Sequence, residues 1–146
     1  MITTRFDIQG IIDADAETVW ALIRDFNGLP TWHPFVVRSE IVDGLTGTTI
    51  GAIRRFEQSN GAIVKEKLIG LDDFRYSMTY FLLEAPIPVQ NYFGFIELVP
   101  LDPIGKTLMT WTVDYDVEPD QASELEQGLK EVLAMGFSRL NELVAA

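Results

Sequence analysis

The C-terminal segment sets the terms for everything before it. Beyond Pro119, Leu125, Leu129, Val132, Leu133, Gly136, Phe137, Leu140, Leu143 and Val144 recur at helical spacing. Glu124, Glu126, Lys130, Glu131, Arg139 and Glu142 fall mostly opposite. The stripe predicts one amphipathic helix of about six turns, whose apolar face needs an apolar surface to lie on.

The rest of the chain must supply that surface, and its period is different. In a first strand, Thr3 to Ile12, Phe6, Ile8 and Ile12 share one face while Arg5, Asp7 and Gln9 share the other. Asp15 is placed to cap a helix carrying Ala16, Val19, Trp20, Ile23 and Phe26. Gly28 stops it, and Leu29 to Pro34 reads as one further turn closed by the second proline. Six strands then follow: Phe35 to Asp43, Thr49 to Gln58, Ala62 to Leu71, Arg75 to Leu82, Gln90 to Leu101 and Lys106 to Val117. Asp43-Gly44, Asn60-Gly61, Asp72-Asp73, Pro86-Ile87-Pro88 and Asp102-Pro103 supply turn chemistry between them. Strands this close, with no helix between, predict an antiparallel meander. The expected fold is α+β: a curved seven-stranded antiparallel sheet around the long C-terminal helix, with two short helices after strand 1. With 47% hydrophobic residues in 146, one domain over residues 1–146 can build its core without staples.

Composition narrows the function. The absence of cysteine removes disulfides, thiol chemistry and thiolate metal sites. His33 is the single histidine, so a zinc site would need carboxylate or water ligands beside it, and no such cluster is visible. No metal and no cofactor are expected. The net charge of −11 leaves no basic face for a phosphate backbone, and an anionic membrane surface would repel it. Nucleic acid and stable membrane insertion are therefore not expected, and the excess acid reads as a solvated surface. Met1 runs at once into strand-like sequence, with no basic leader or long apolar stretch, which suggests a cytoplasmic protein. A monomer or homodimer is expected.

The informative residues are the polar ones on apolar faces. Glu66 shares a face with Val64, Leu68 and Gly70, while Lys65 and Lys67 point the other way. Arg54 shares one with Ile50, Ala52 and Phe56. For both apolar faces to coincide, the hairpin between the two strands needs an odd loop, and Ser59-Asn60-Gly61 is a plausible one. That register sets Arg54 opposite Glu66. With Asp72-Asp73-Phe74 as the next loop, Tyr80 falls opposite Glu66 on its other side; a two-residue slip would keep the faces and change the pair. Tyr76, Met78 and Tyr80 share a face, as do Met109, Trp111, Val113 and Tyr115. Tyr92, Gly94, Ile96 and Leu98 are assigned inward because Asn91 and Glu97 lie on the alternative face. A paired Arg54 and Glu66 is cheaper to bury than either alone, whether as a structural pair or as a polar anchor inside an apolar cavity.

This pattern resembles the START-related SRPBCC superfamily, the helix-grip fold of lipid-transfer domains, pollen allergens, bacterial polyketide cyclases and plant hormone receptors. The resemblance covers nearly the whole chain. It is carried by Asp15-Ala16-Glu17-Thr18-Val19-Trp20, Trp32-His33-Pro34, Ile50-Gly51-Ala52-Ile53-Arg54, Lys65-Glu66-Lys67-Leu68, Pro88-Val89-Gln90-Asn91-Tyr92 and Thr110-Trp111-Thr112. It is closest to bacterial polyketide cyclase/dehydrase and lipid-transport members. In the receptor branch, the positions matching Glu66, Tyr92, Gly94 and Trp111 face the ligand, and that matching His33 carries a lysine. Two gating loops there resemble Gln58 to Gly61 and Glu84 to Val89. The first lacks the characteristic gate sequence, so hormone sensing is not implied.

The expectation is a cavity between sheet and helix for a small hydrophobic molecule. Tyr76, Met78, Tyr80, Tyr92, Gly94, Ile96, Trp111 and Phe137 would line it, with His33, Arg54 and Glu66 as polar points and Pro86, Ile87 and Pro88 as a lid. Three functions stay open. The first is a binding or carrier protein. The second is a cyclase, dehydrase or isomerase using His33 and Glu66 for proton transfer, with Arg54, Tyr80 or Tyr92 holding the oxygen. The third is a protein-interaction module.

Overall fold

The computed structural model describes residues 1–146. Strand β1 (Ile2–Ile12) leads into helix α1 (Ala16–Ile23), a 3₁₀ turn (Phe26–Gly28) and helix α2 (Leu29–Trp32). Strands β2 (Val36–Ile41), β3 (Ile53–Gln58), β4 (Ile63–Asp72), β5 (Ser77–Glu84), β6 (Val89–Leu101) and β7 (Lys106–Val117) follow, and helix α3 (Ala122–Ala145) closes the chain. The strands form one antiparallel sheet in the order β1-β7-β6-β5-β4-β3-β2. This is the α+β sheet and C-terminal helix that the change of period implied, and the helix-grip fold that the resemblance implied.

Local chemistry explains the borders. Asp15 accepts from the Thr18 N–H and starts α1. Pro30 sits in the first turn of α2, where its missing N–H costs nothing. Along β7, Thr107, Met109, Trp111, Val113, Tyr115 and Val117 are buried in strict alternation. Pairing of β1 with β7 runs unbroken from Ile2 opposite Val117 to Ile12 opposite Thr107. Along β6, Tyr92, Gly94, Ile96 and Leu98 are the buried set, as assigned.

Helix α1 ends at Ile23 rather than at Gly28, because Asp25 accepts from the Asn27 N–H and starts a separate 3₁₀ turn that carries Phe26. Two strand borders also differ from expectation. Strand β3 starts at Ile53 rather than Thr49, because Gly51 has φ +99 and turns the chain there. Ile50, placed inward by the strand reading, is therefore 55% exposed. At the other border, Asp72 Oδ1 accepts from the N–H groups of Phe74 and Arg75, and Tyr76 takes φ 53. The β4–β5 turn therefore lengthens, and Asp72 pairs with Ser77. That turn alone would flip the face of β5, but an irregularity between Leu68 and Gly70 restores it. Glu66 consequently faces Leu82, and Tyr80 faces Leu68, which is the two-residue slip.

Helix α3 is held unevenly along its length. Its buried residues, Leu133, Gly136, Phe137 and Leu140, begin at its midpoint and run toward its C-terminal end. A Cβ on Gly136 would come within 2.9 Å of the Trp32 ring and 3.1 Å of the His33 ring, so only glycine permits this approach. The first half of α3 has no comparable seat. The space it leaves is the cavity.

Candidate functional site

A cavity of about 560 Å³ lies between the sheet and the first half of α3. Its floor is buried: Arg54 and Phe56 from β3, Val64 and Glu66 from β4, Tyr80 from β5, Tyr92 from β6 and Trp111 from β7, with Leu29 and His33 beside them. Its rim is exposed: Asn60 on the β3–β4 hairpin, Pro86 and Pro88 on the β5–β6 loop, and Gln121, Glu124 and Gly128 from the start of α3. Most of the lining is apolar, the usual composition of a small-molecule site.

The register of β3 on β4 sets Arg54 directly opposite Glu66. Arg54 donates from Nε and Nη2 to the same oxygen, Glu66 Oε1, at 2.9 and 2.6 Å. Its Nη1 donates to the Phe26 carbonyl at 2.9 Å, and its guanidinium lies 3.8 Å from the Phe26 ring centroid. The pair is buried on both sides, at 4% and 6% exposure. Burial raises the Glu66 pKa above the ordinary carboxylate value, with the adjacent Arg54 charge and its hydrogen bonds opposing the rise. Oε2 of Glu66 accepts from no protein donor.

His33 caps the C-terminus of α2 and is 3% exposed. Its Nδ1 accepts from the Phe35 N–H at 3.2 Å, so Nε2 carries the proton and donates to the Val132 carbonyl of α3 at 2.9 Å. Burial lowers its pKa to about 4, with the Val132 bond opposing and the Arg54 charge assisting. At neutral pH the ring is an uncharged strut between α2 and α3.

Aromatic groups complete the floor. Trp111 Nε1–H donates to Tyr80 Oη at 3.0 Å, and both Tyr80 and Tyr92 have pKa values raised chiefly by burial. Trp32 packs on Trp111 at 5.5 Å between ring centroids, and Tyr92 stacks on Tyr115 at 5.7 Å.

Of the residues singled out in the sequence, His33, Arg54, Glu66, Tyr80, Tyr92, Trp111, Pro86, Ile87 and Pro88 all line this cavity. The other five do not. Tyr76 sits in the β4–β5 turn against Trp20, 6.1 Å between ring centroids. Met78 and Ile96 pair across β5 and β6 in the closed half of the core. At Gly94 the Tyr80 ring lies over the backbone where a Cβ would stand, so Gly94 makes room for a lining residue rather than lining anything. Phe137 packs on Gly10, where a Cβ would come within 2.8 Å of its ring.

Sequence reading missed much of the lining. Leu125, Leu129, Val132 and Leu133 were visible only as a core stripe, and periodicity does not separate a core face from a cavity roof. Gly128 carried no apolar signal at all. A Cβ placed there meets nothing within 4 Å. Val36, Ala62, Leu82 and Ala85 also line the cavity, and alternation along their strands was the signal for Val64 and Leu82 alike.

Among the described residues, no three His, Cys, Asp or Glu side chains come together as a metal would require. No helix is long and apolar enough to cross a membrane.

Comparison with known proteins gives the family and the fold. A family model described as polyketide cyclase/dehydrase and lipid transport matches residues 3–145. A solution structure from Thermobifida fusca is 31% identical, with TM-score 0.84 over 97% of this chain and 92% of that one. An uncharacterized protein from Bacillus thuringiensis is 25% identical, with TM-score 0.83 over 98% of this chain and 100% of its own. A Bacillus cereus protein is 27% identical, with TM-score 0.78 over 98% and 95%.

Proposed function

The chain belongs to the polyketide cyclase/dehydrase and lipid-transport family, of SRPBCC type, and on that premise we propose that it binds and carries a small, mostly apolar molecule. The molecule sits under the first half of α3, and Pro86, Ile87 and Pro88 act as its lid. One observation carries the reading: the imidazole and the guanidinium of the floor are already engaged with the protein. Both ring nitrogens of His33 are bonded to backbone, and Arg54 is bonded through all three of its nitrogens.

A cyclase, dehydrase or isomerase would need an acid and a base free to reach an enolisable carbonyl. His33 is held away from that role by its two bonds and by a pKa near 4. Glu66 keeps one oxygen without a protein donor, which suits accepting a bond from a ligand. The test is a panel of polyketide and steroid-like carbonyl compounds, scored for binding and for conversion. Binding without conversion supports a carrier. Turnover that disappears in Glu66→Gln would replace it with the enzyme reading.

A further inference from the structure

The charge arrangement of the cavity restricts what it can hold, and the restriction rests on the carrier reading above. Arg54 is the one cation in the lining, and its charge is already matched by Glu66 at 2.6 Å. Its guanidinium is further occupied by the Phe26 carbonyl and covered by the Phe26 ring. A carboxylate brought to this floor would make two anions share one cation in a dry site, leaving a net buried charge that nothing balances. The mouth adds no help, since Glu124 stands there and no lysine or arginine does.

What the floor does offer is an acceptor. Glu66 Oε2 takes no protein donor, while Oε1 takes both from Arg54. A neutral donor reaching Oε2 completes that carboxylate without adding charge. From these features we infer that the cavity selects neutral apolar molecules bearing a hydroxyl group, which donates to Glu66 Oε2, and rejects carboxylates of the same size.

The test uses the intact protein loaded with the neutral dye Nile red at about pH 8, where alkanoates are ionised. Dodecanol, methyl dodecanoate and dodecanoate compete for it; they match in chain length and differ at the polar end. Dodecanol is expected to displace the dye at a concentration about tenfold lower than dodecanoate, and also lower than the methyl ester, which has no donor. The ester separates the hydroxyl's contribution from repulsion by the net charge of −11. Glu66→Gln releases Arg54 and should shift preference toward dodecanoate, with its fold checked by circular dichroism. If that variant does not fold, the comparison on the unaltered protein still decides. Equal or tighter binding of dodecanoate overturns the inference, as does dye that binds and is displaced by none of the three. Failure of Nile red to bind at all overturns the carrier reading itself, and is a distinct result.

Discussion

Arg54 places both of its carboxylate bonds, 2.9 and 2.6 Å, on one oxygen of Glu66, so the pair is complete on one side and open on the other. The closed side ties β3 to β4 and, through the Phe26 carbonyl, to the turn before α2. The open side faces the cavity. One contact thus bears on both stability and ligand choice, and substitutions can separate the two roles.

Removing one partner should cost more than removing both. Arg54→Met strands a buried carboxylate, and Glu66→Leu strands a buried guanidinium. Each is expected to destabilise the fold by about 3–5 kcal/mol, because the survivor keeps its desolvation cost without compensation. The double substitution should lose clearly less than the sum of the two. Urea unfolding of the four proteins reads the coupling; additive losses would show that the pair does not act as a unit.

His33 makes stability depend on pH with a defined sign. Above its ordinary pKa of 6.5 both folded and unfolded chains hold a neutral ring. Below 6.5 the unfolded chain takes up a proton that the fold refuses until about pH 4. Stability therefore falls as the pH drops through that window, by an amount on the order of 3 kcal/mol. His33→Gln removes the titration, so its melting temperature should fall less steeply between those limits. Parallel curves for the two proteins would contradict the buried neutral ring.

The two glycines of α3 should respond in opposite ways. A Cβ at Gly136 presses on Trp32 and His33, so Gly136→Ala is expected to cost about 1–3 kcal/mol despite alanine's better helix propensity. Gly128 faces open space at the rim, so Gly128→Ala should stabilise by about 0.5–1 kcal/mol. Gly128→Trp should keep that stability while narrowing the mouth, and slow the uptake of Nile red. Thermal melts and stopped-flow uptake separate these outcomes, and unchanged uptake would move the mouth elsewhere.

Tyr80 serves the fold as well as the cavity. Tyr80→Phe removes the acceptor for the buried Trp111 Nε1–H and should cost about 1–3 kcal/mol. Trp111→Phe in the same background should then cost less than it does alone. Equal costs in both backgrounds, measured by urea unfolding, would show that this hydrogen bond contributes nothing.

What could be read in advance follows from which constraints are local. Arg54 opposite Glu66 was legible because the hairpin loop must be odd for two apolar faces to meet, and Ser59-Asn60-Gly61 satisfies that. Tyr80 opposite Glu66 was not, since the Asp72 turn and the irregularity after Leu68 shift register by amounts that alternation does not record. The helix stripe showed which residues of α3 face the sheet, but not that Gly136 seats one half while the other stands off. That difference decides why Leu129 lines the cavity while Phe137 is packed in the core. The sequence leaves His33 open between a polar point, a proton-transfer group and a structural residue, because the partners that settle it, the Phe35 amide and the Val132 carbonyl, are backbone groups with no side-chain signature.

The central claim is that this cavity holds a small apolar molecule, and native mass spectrometry of the freshly purified protein tests it most directly. The account predicts a noncovalent adduct that is lost on denaturation, replaced by dodecanol when that is supplied, and diminished in Gly128→Trp. A spectrum that shows only the bare chain, even after exposure to Nile red and dodecanol, would contradict it.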